Sequence, residues 1–153
     1  MKLTLPSEQR IKLKDALRKA GTNEIGGQLF GEQHAPSDFM ISEISIQPRQ
    51  GTFARFVVDV VAAANAAIRF FDSTQHQYTR FNYIGEWHSH PSFVVQPSGQ
   101  DLFSMRALVS QKGFAGSFAV LMIVREDTAE LIARAWYFDP IGREGTAELK
   151  TTR

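Results

Sequence analysis

Two of the four histidines in this chain, His88 and His90, stand two residues apart in the segment GEWHSHP. At the end of a β-strand, residues at that spacing project from one face. Their rings then converge on a point about 2.0–2.1 Å from each nitrogen, the reach of a Zn²⁺ ion. Ser98 and Asp101 follow a short loop later. If Ser98 opens a helix, Asp101 falls in its first turn and its carboxylate faces back toward the histidines. Two imidazoles and a carboxylate make three protein ligands, and in a chain without cysteine the fourth corner goes to water, the pattern of a catalytic rather than a structural zinc site. A plainer reading stands beside this one. Ser98-x-x-Asp101 is also close to a capping box, which needs no metal, and a lone His-x-His arises by chance; the conjunction carries the weight. Water activated at such a centre needs a general base. Glu86 shares strand parity with the histidines, and Glu24 opens a glycine-rich segment far away in sequence; spacing alone does not choose between them.

The elements that must position these groups follow from periodicity and punctuation. Pro6 and Ser7 start, and Gly21 stops, a helix over Ser7–Ala20 whose apolar face is Leu13, Ala16, Leu17 and Ala20 and whose other face is basic and solvated. Residues 24–32 (EIGGQLFGE) read as a strand, and its Gly26, Gly27 and Gly31 serve either close approach of a substrate backbone or tight internal packing. A second strand, 39–47, changes parity between Ile41 and Ile44, which predicts a bulge. The HAPSD between them is a turn. A short strand is expected at 52–58 and a helix at 59–74, capped by Asp59, with Val60, Ala63, Ala64, Ala67, Ile68 and Phe71 on its buried side. A strand over 81–88 leads into the metal loop, where Trp87 has core parity. A helix capped by Ser98 runs over 98–111, and a hairpin joins 118–125 to 130–138. The polar tail from Gly142 is read as frayed, with a last helical turn allowed. Helix, strands, helix, strand, helix, strands is not regular βαβ alternation, so the fold class is α+β.

Composition narrows the function classes. The 153 residues suffice for one domain with a real core. Absence of cysteine removes disulfide scaffolds, zinc fingers, iron–sulfur proteins and thiol enzymes. A net charge of +1 gives no bulk attraction to nucleic acid or an anionic membrane. No signal peptide or spanning segment is legible, so a cytoplasmic protein is expected.

The segment WHSHPSFVVQPSGQD resembles the metal motif of the JAMM metalloproteases, the catalytic members of the MPN (Mov34/PAD) family, and EIGGQLFG resembles the strand that precedes it in that family. The resemblance covers nearly the whole chain. It implies an MPN fold, a mixed, cytidine-deaminase-like β-sheet flanked by helices, as a single domain over 1–145 with a polar tail at 146–153. It implies that His88, His90 and Asp101 hold Zn²⁺, that Glu24 is the general base and later protonates the leaving amine, and that Ser98 donates to the oxyanion. Glu86 then lies behind the ligands or at the surface. The implied substrate is a peptide or isopeptide bond after the C-terminal tail of a ubiquitin-like modifier or of a protein conjugated in that way. Such a tail would pair with an exposed strand edge. The chain is similar to stand-alone bacterial members encoded beside E1/E2-like enzymes, including those of the anti-phage CBASS systems. The same chemistry would serve to trim a ubiquitin-fold sulfur-carrier protein, and a non-catalytic MPN scaffold is the alternative from another class. The oligomeric state is left open.

Overall fold

The computed structural model describes residues 1–47, 51–52, 55–56 and 60–152. Its spine is β7 (Ala119–Asp127), where six successive residues, Ala119 to Val124, are buried. An unbroken apolar run is what a strand covered on both faces requires. Val120, Met122 and Val124 join the core beneath α1 (Ser7–Ala20), whereas Ala119, Leu121 and Ile123 pack toward α3 (Gly99–Ser110). β7 lies between β6 (Phe81–Ser89), parallel to it, and β8 (Glu130–Phe138), antiparallel to it.

Around this spine the main sheet closes into a seven-stranded barrel. Its order is β1 (Lys2–Leu5), β3 (Asp38–Ile44), β2 (Gly26–Ala35), β6, β7, β8 and β9 (Glu144–Thr151). Closure comes from β1, which pairs in parallel with both β3 and β9. Neither β1 nor β9 is expected from the sequence. In particular, residues 144–151 are neither frayed nor helical. They alternate half-buried Gly145, Ala147 and Leu149 with exposed charged and polar residues, and they satisfy the free sides of β8 and β1. Among the described residues every strand of the ring has a neighbour on both sides, although β1 covers β3 only as far as Met40. Past Met40, where β1 ends its pairing with β3, the Gln9 side chain takes over. Its Nε2 donates to Ser42 O at 3.1 Å and its Oε1 accepts from Ile44 N at 3.1 Å.

The expected bulge is present: Phe30 pairs with Glu43 and Gly31 with Ile41, leaving Ser42 over. A second bulge in β6 leaves Ile84 over, and there Gly85 has φ +149° and lies so close to β7 that an added Cβ would sit 2.0 Å from Val120 O. Gly27 is packed as tightly, 2.0 Å from Ser45 O by the same measure, and Gly31 faces Ile84. At Gly27 and Gly31 the glycines therefore serve internal packing. Trp87 is fully buried, and its indole Nε1 donates to Ser45 O at 2.9 Å.

α2 (Val60–Ser73) is present, but its buried side differs from the expected one. Ala63, Ala66 and Phe70 face inward, while Val60 and Ile68 are exposed. In so alanine-rich a helix a single large contact decides the phase, here Phe70 stacked on Phe30 with ring centroids 4.6 Å apart. The strand expected at 52–58 lies partly outside the described residues, and Asp59, the expected cap of α2, lies wholly outside them. Its described parts, β4 (Gly51–Thr52) and β5 (Arg55–Phe56), pair with each other as a two-stranded sheet. No helix among the described residues is long and apolar enough to cross a membrane.

α1 is held to the β7–β8 turn by Arg18, 2.8 Å from Glu126, and by Lys14, which donates to Ala129 O at 2.6 Å. Replacing Gly27 or Gly85 by alanine should lower the melting temperature by roughly 5 °C or more, because the added methyl meets backbone that cannot yield. Gly99→Ala, where nothing lies within 4 Å, should leave it nearly unchanged. Thermal denaturation followed by circular dichroism distinguishes these outcomes.

Candidate metal centre

β6 delivers the histidines. Strand alternation turns Trp87 and Ser89 into the barrel, both fully buried, and Glu86 and His88 to the opposite face. His90 lies one residue past the assigned end of β6, yet its N–H donates to Val124 O at 2.9 Å. The pairing with β7 thus extends through His90 and keeps its parity with His88. The chain then crosses residues 91–97 to Ser98, the N-cap of α3.

Asp101 belongs to a complete capping box. Its Oδ2 accepts from Ser98 N at 2.7 Å, and its own N–H donates to Ser98 Oγ at 3.1 Å. This occupies one carboxylate oxygen on the helix side and leaves Oδ1 facing His88 Nε2 at 3.4 Å. The cap and the ligand are therefore compatible uses of one side chain.

The three side chains meet the geometric requirement of a zinc centre. His88 Nε2 and His90 Nε2 are 3.0 Å apart, and Asp101 Oδ2 is 3.7 Å from His90 Nε2. Bonds of about 2.0–2.1 Å at tetrahedral angles separate ligand atoms by roughly 3.3–3.4 Å, and these spacings bracket that value. Among the described residues, His88, His90 and Asp101 form the one group of three or more such side chains with this convergence. The imidazole of His90 is also oriented for the task. Its Nδ1 lies 2.9 Å from Val94 O. A carbonyl only accepts, so Nδ1 carries the hydrogen and Nε2 presents its lone pair, as a metal ligand must. Burial pushes the Asp101 carboxyl up, but the hydrogen bond and charge of His88, with the bonds from Ser98, outweigh it and hold the group at about 2. It is a carboxylate across the physiological range.

A cleft of about 640 Å³ opens on this triad and is lined as well by Glu24, Glu86 and Ser98. The structure thus brings together every residue singled out from the sequence, including both candidate bases. Glu24 is buried and immediately precedes Ile25, whose N and O both bond to Ser89. Glu86 is deeper. Burial raises its carboxyl above the ordinary range, opposed by the charge of His88 and a hydrogen bond from Tyr83. Phe93 and Val94 also line the cleft. Their side chains are exposed, but their backbone is tied down, with Val94 O on His90 and Phe93 O accepting from Arg125 Nη1 at 3.2 Å. The sequence gives no sign of the part Val94 plays, because it acts through a carbonyl that every residue possesses. Arg125 and Tyr83 escape notice for a related reason: each acts across strands, and neither belongs to a short motif.

Comparison with known proteins agrees with this geometry. Residues 6–139 match the model of the Prok-JAB family, the prokaryotic homologs of the JAB domain. A protein of Enterobacter hormaechei subsp. hoffmannii (strain UCI 50) named CD-NTase/cGAS isopeptidase is 32% identical over 117 residues, which cover 72% of this chain and 60% of that protein. The chain therefore matches about three-fifths of the length of that relative. The solution structure of protein DSY2949 from Desulfitobacterium hafniense superposes with a TM-score of 0.73 at 17% identity, covering 99% of this chain and 93% of the other. That of a protein from Salinibacter ruber (strain DSM 13855) gives 0.57 at 17% identity, covering 99% and 92%. Both show a shared fold. With its family motif folded into one convergent site and the family model spanning most of its length, the chain belongs to the JAB family, among its prokaryotic members.

Proposed function

We propose that this protein is a zinc-dependent isopeptidase that cleaves after the C-terminal tail of a ubiquitin-like modifier, or of a protein conjugated in a ubiquitin-like way, within a bacterial anti-phage conjugation system. The observation that carries the reading is the tetrahedral spacing of His88 Nε2, His90 Nε2 and the Asp101 carboxylate in a cleft that also holds a second, buried carboxylate, Glu24. The name of the enterobacterial relative, CD-NTase/cGAS isopeptidase, supports the bond type and a CD-NTase-type protein as the conjugated partner; the proposed setting is the cytoplasm, beside E1/E2-like enzymes.

Zinc, when bound, supplies Lewis acidity that polarises the scissile carbonyl and acidifies the attacking water. The remaining work belongs to the chain. Glu24 takes the proton of that water and passes it to the departing amine. Ser98 Oγ spends a lone pair on Asp101 N–H, so its hydroxyl hydrogen is the part that donates to the developing oxyanion. Val94 O and Ser98 N fix His90 and Asp101 before substrate arrives, which reduces reorganisation during the reaction.

Three outcomes are expected. Asp101→Asn keeps an oxygen to accept from Ser98 N, so its stability should stay within about 1 kcal/mol of the parent. Its zinc affinity should nevertheless fall at least about tenfold; calorimetry and metal analysis of the same sample separate ligand from cap. Glu24→Gln should retain zinc and lose roughly 10²–10⁴ in kcat/KM on a modifier–target fusion, whereas full activity would transfer the base role to Glu86. Zinc affinity should weaken in acid, where protons compete with the metal for its ligands, and a titration with a competing chelator measures this.

A further inference from the structure

Ser89 stands between the two histidines yet faces away from them, fully buried and turned into the barrel. A hydroxyl in such a place is costly unless it is bonded. It is bonded to the residue that follows Glu24: Ser89 Oγ accepts from Ile25 N at 3.0 Å, and Ser89 N donates to Ile25 O at 2.8 Å. One step earlier along the ladder, Gly26 pairs with His88 in ordinary antiparallel register. At Ile25 the N–H goes to the serine side chain in place of the carbonyl that a regular pair would use. β2 begins at Gly26, so the Ile25–Ser89 pair carries the ladder up to the residue next to Glu24, which lines the cleft.

We infer that Ser89 is a positioning residue for Glu24. Its hydroxyl sets the distance between the base and the two imidazoles that flank Ser89 in sequence. It touches no substrate and holds no metal. Its effect on the reaction passes through the backbone of Ile25 to Glu24, so this inference rests on Glu24 acting as the base. Base catalysis is sensitive to such placement, because an error of about 1 Å can cost on the order of 10²-fold.

The test compares the zinc-loaded parent, Ser89→Ala, Glu24→Gln and the double variant on one modifier–target fusion, with zinc content and Ile25 amide hydrogen exchange measured on each. In Ser89→Ala the expected result is faster exchange at Ile25, full zinc content, KM little changed and kcat lower by about 10- to 100-fold. Adding Ser89→Ala to Glu24→Gln should cause no further loss, since a residue acting through Glu24 has nothing left to position. Ser89→Thr, which keeps the oxygen, should recover kcat. Should Ser89→Ala fold poorly, the comparison of Ser89→Thr with Ser89→Cys, a weaker acceptor of similar size, decides: equal kcat in the two overturns the inference. Parental kcat in Ser89→Ala, or equal losses with and without Glu24, would also overturn it while leaving the isopeptidase reading intact. Failure of the zinc-loaded parent to cleave any fusion would instead remove that reading, and this inference with it.

Discussion

The Asp101 carboxylate divides its oxygens between the start of a helix and a pair of imidazoles, and most of the site's geometry depends on that division. Oδ2 closes the N-terminus of α3, and Oδ1 faces His88. A swing of the carboxylate toward solvent therefore gives up its bond from the Ser98 N–H and half of the capping box. The helix in turn is seated on β7 through Met105 and Val109. Apolar packing some distance from the chemistry thus sets where one ligand stands. The other two are set by β6, whose flanking strands pin it on both sides.

This arrangement separates the side chains that border the cleft from the groups that hold the site. Among the described residues each strand of the barrel is paired on both sides over at least part of its length. The cleft is bordered instead by side chains of residues 91–97 and by the start of α3. Phe93 and Val94 present exposed apolar groups on an anchored backbone, so that short segment combines a fixed path with side chains free to meet a ligand. Ser89 faces away from the cleft, Tyr83 bonds to the Glu86 carboxyl, and Glu86 lines the cleft beside His88. Their contribution is electrostatic or positional.

How far the fold and site are legible in sequence depends on the range over which each feature is specified. The candidate ligands are legible because metal chemistry demands particular residue types at short, strand- and helix-determined spacings. His88, His90, Ser98 and Asp101 satisfy this within a single segment. Glu24 becomes distinguishable as part of the site only once β2 is laid against β6. The β3 bulge is visible as a break in alternation at Ser42. The phase of α2 is not, because alanines tolerate either face and the stack of Phe70 on Phe30 is a tertiary contact. β1 and β9 are missed for a related reason. Each carries only two strongly apolar inward positions, Leu3 and Leu5 in one and Ala147 and Leu149 in the other, too few for a periodic signal. Their existence follows from the need of β3 and β8 for partners.

The pairing of β1 with β9 joins Lys2 to Glu148, nearly the full span of the described chain. During synthesis on the ribosome the ring stays open until the last of its strands has emerged. Until then β1 and β8 each carry a row of unpaired backbone groups, the kind of surface on which nascent chains aggregate or recruit chaperones. So long a loop closure also slows folding. Yield of native protein should accordingly depend on how quickly residues 144–151 dock, a property of the polypeptide's assembly that leaves the chemistry of the finished cleft untouched.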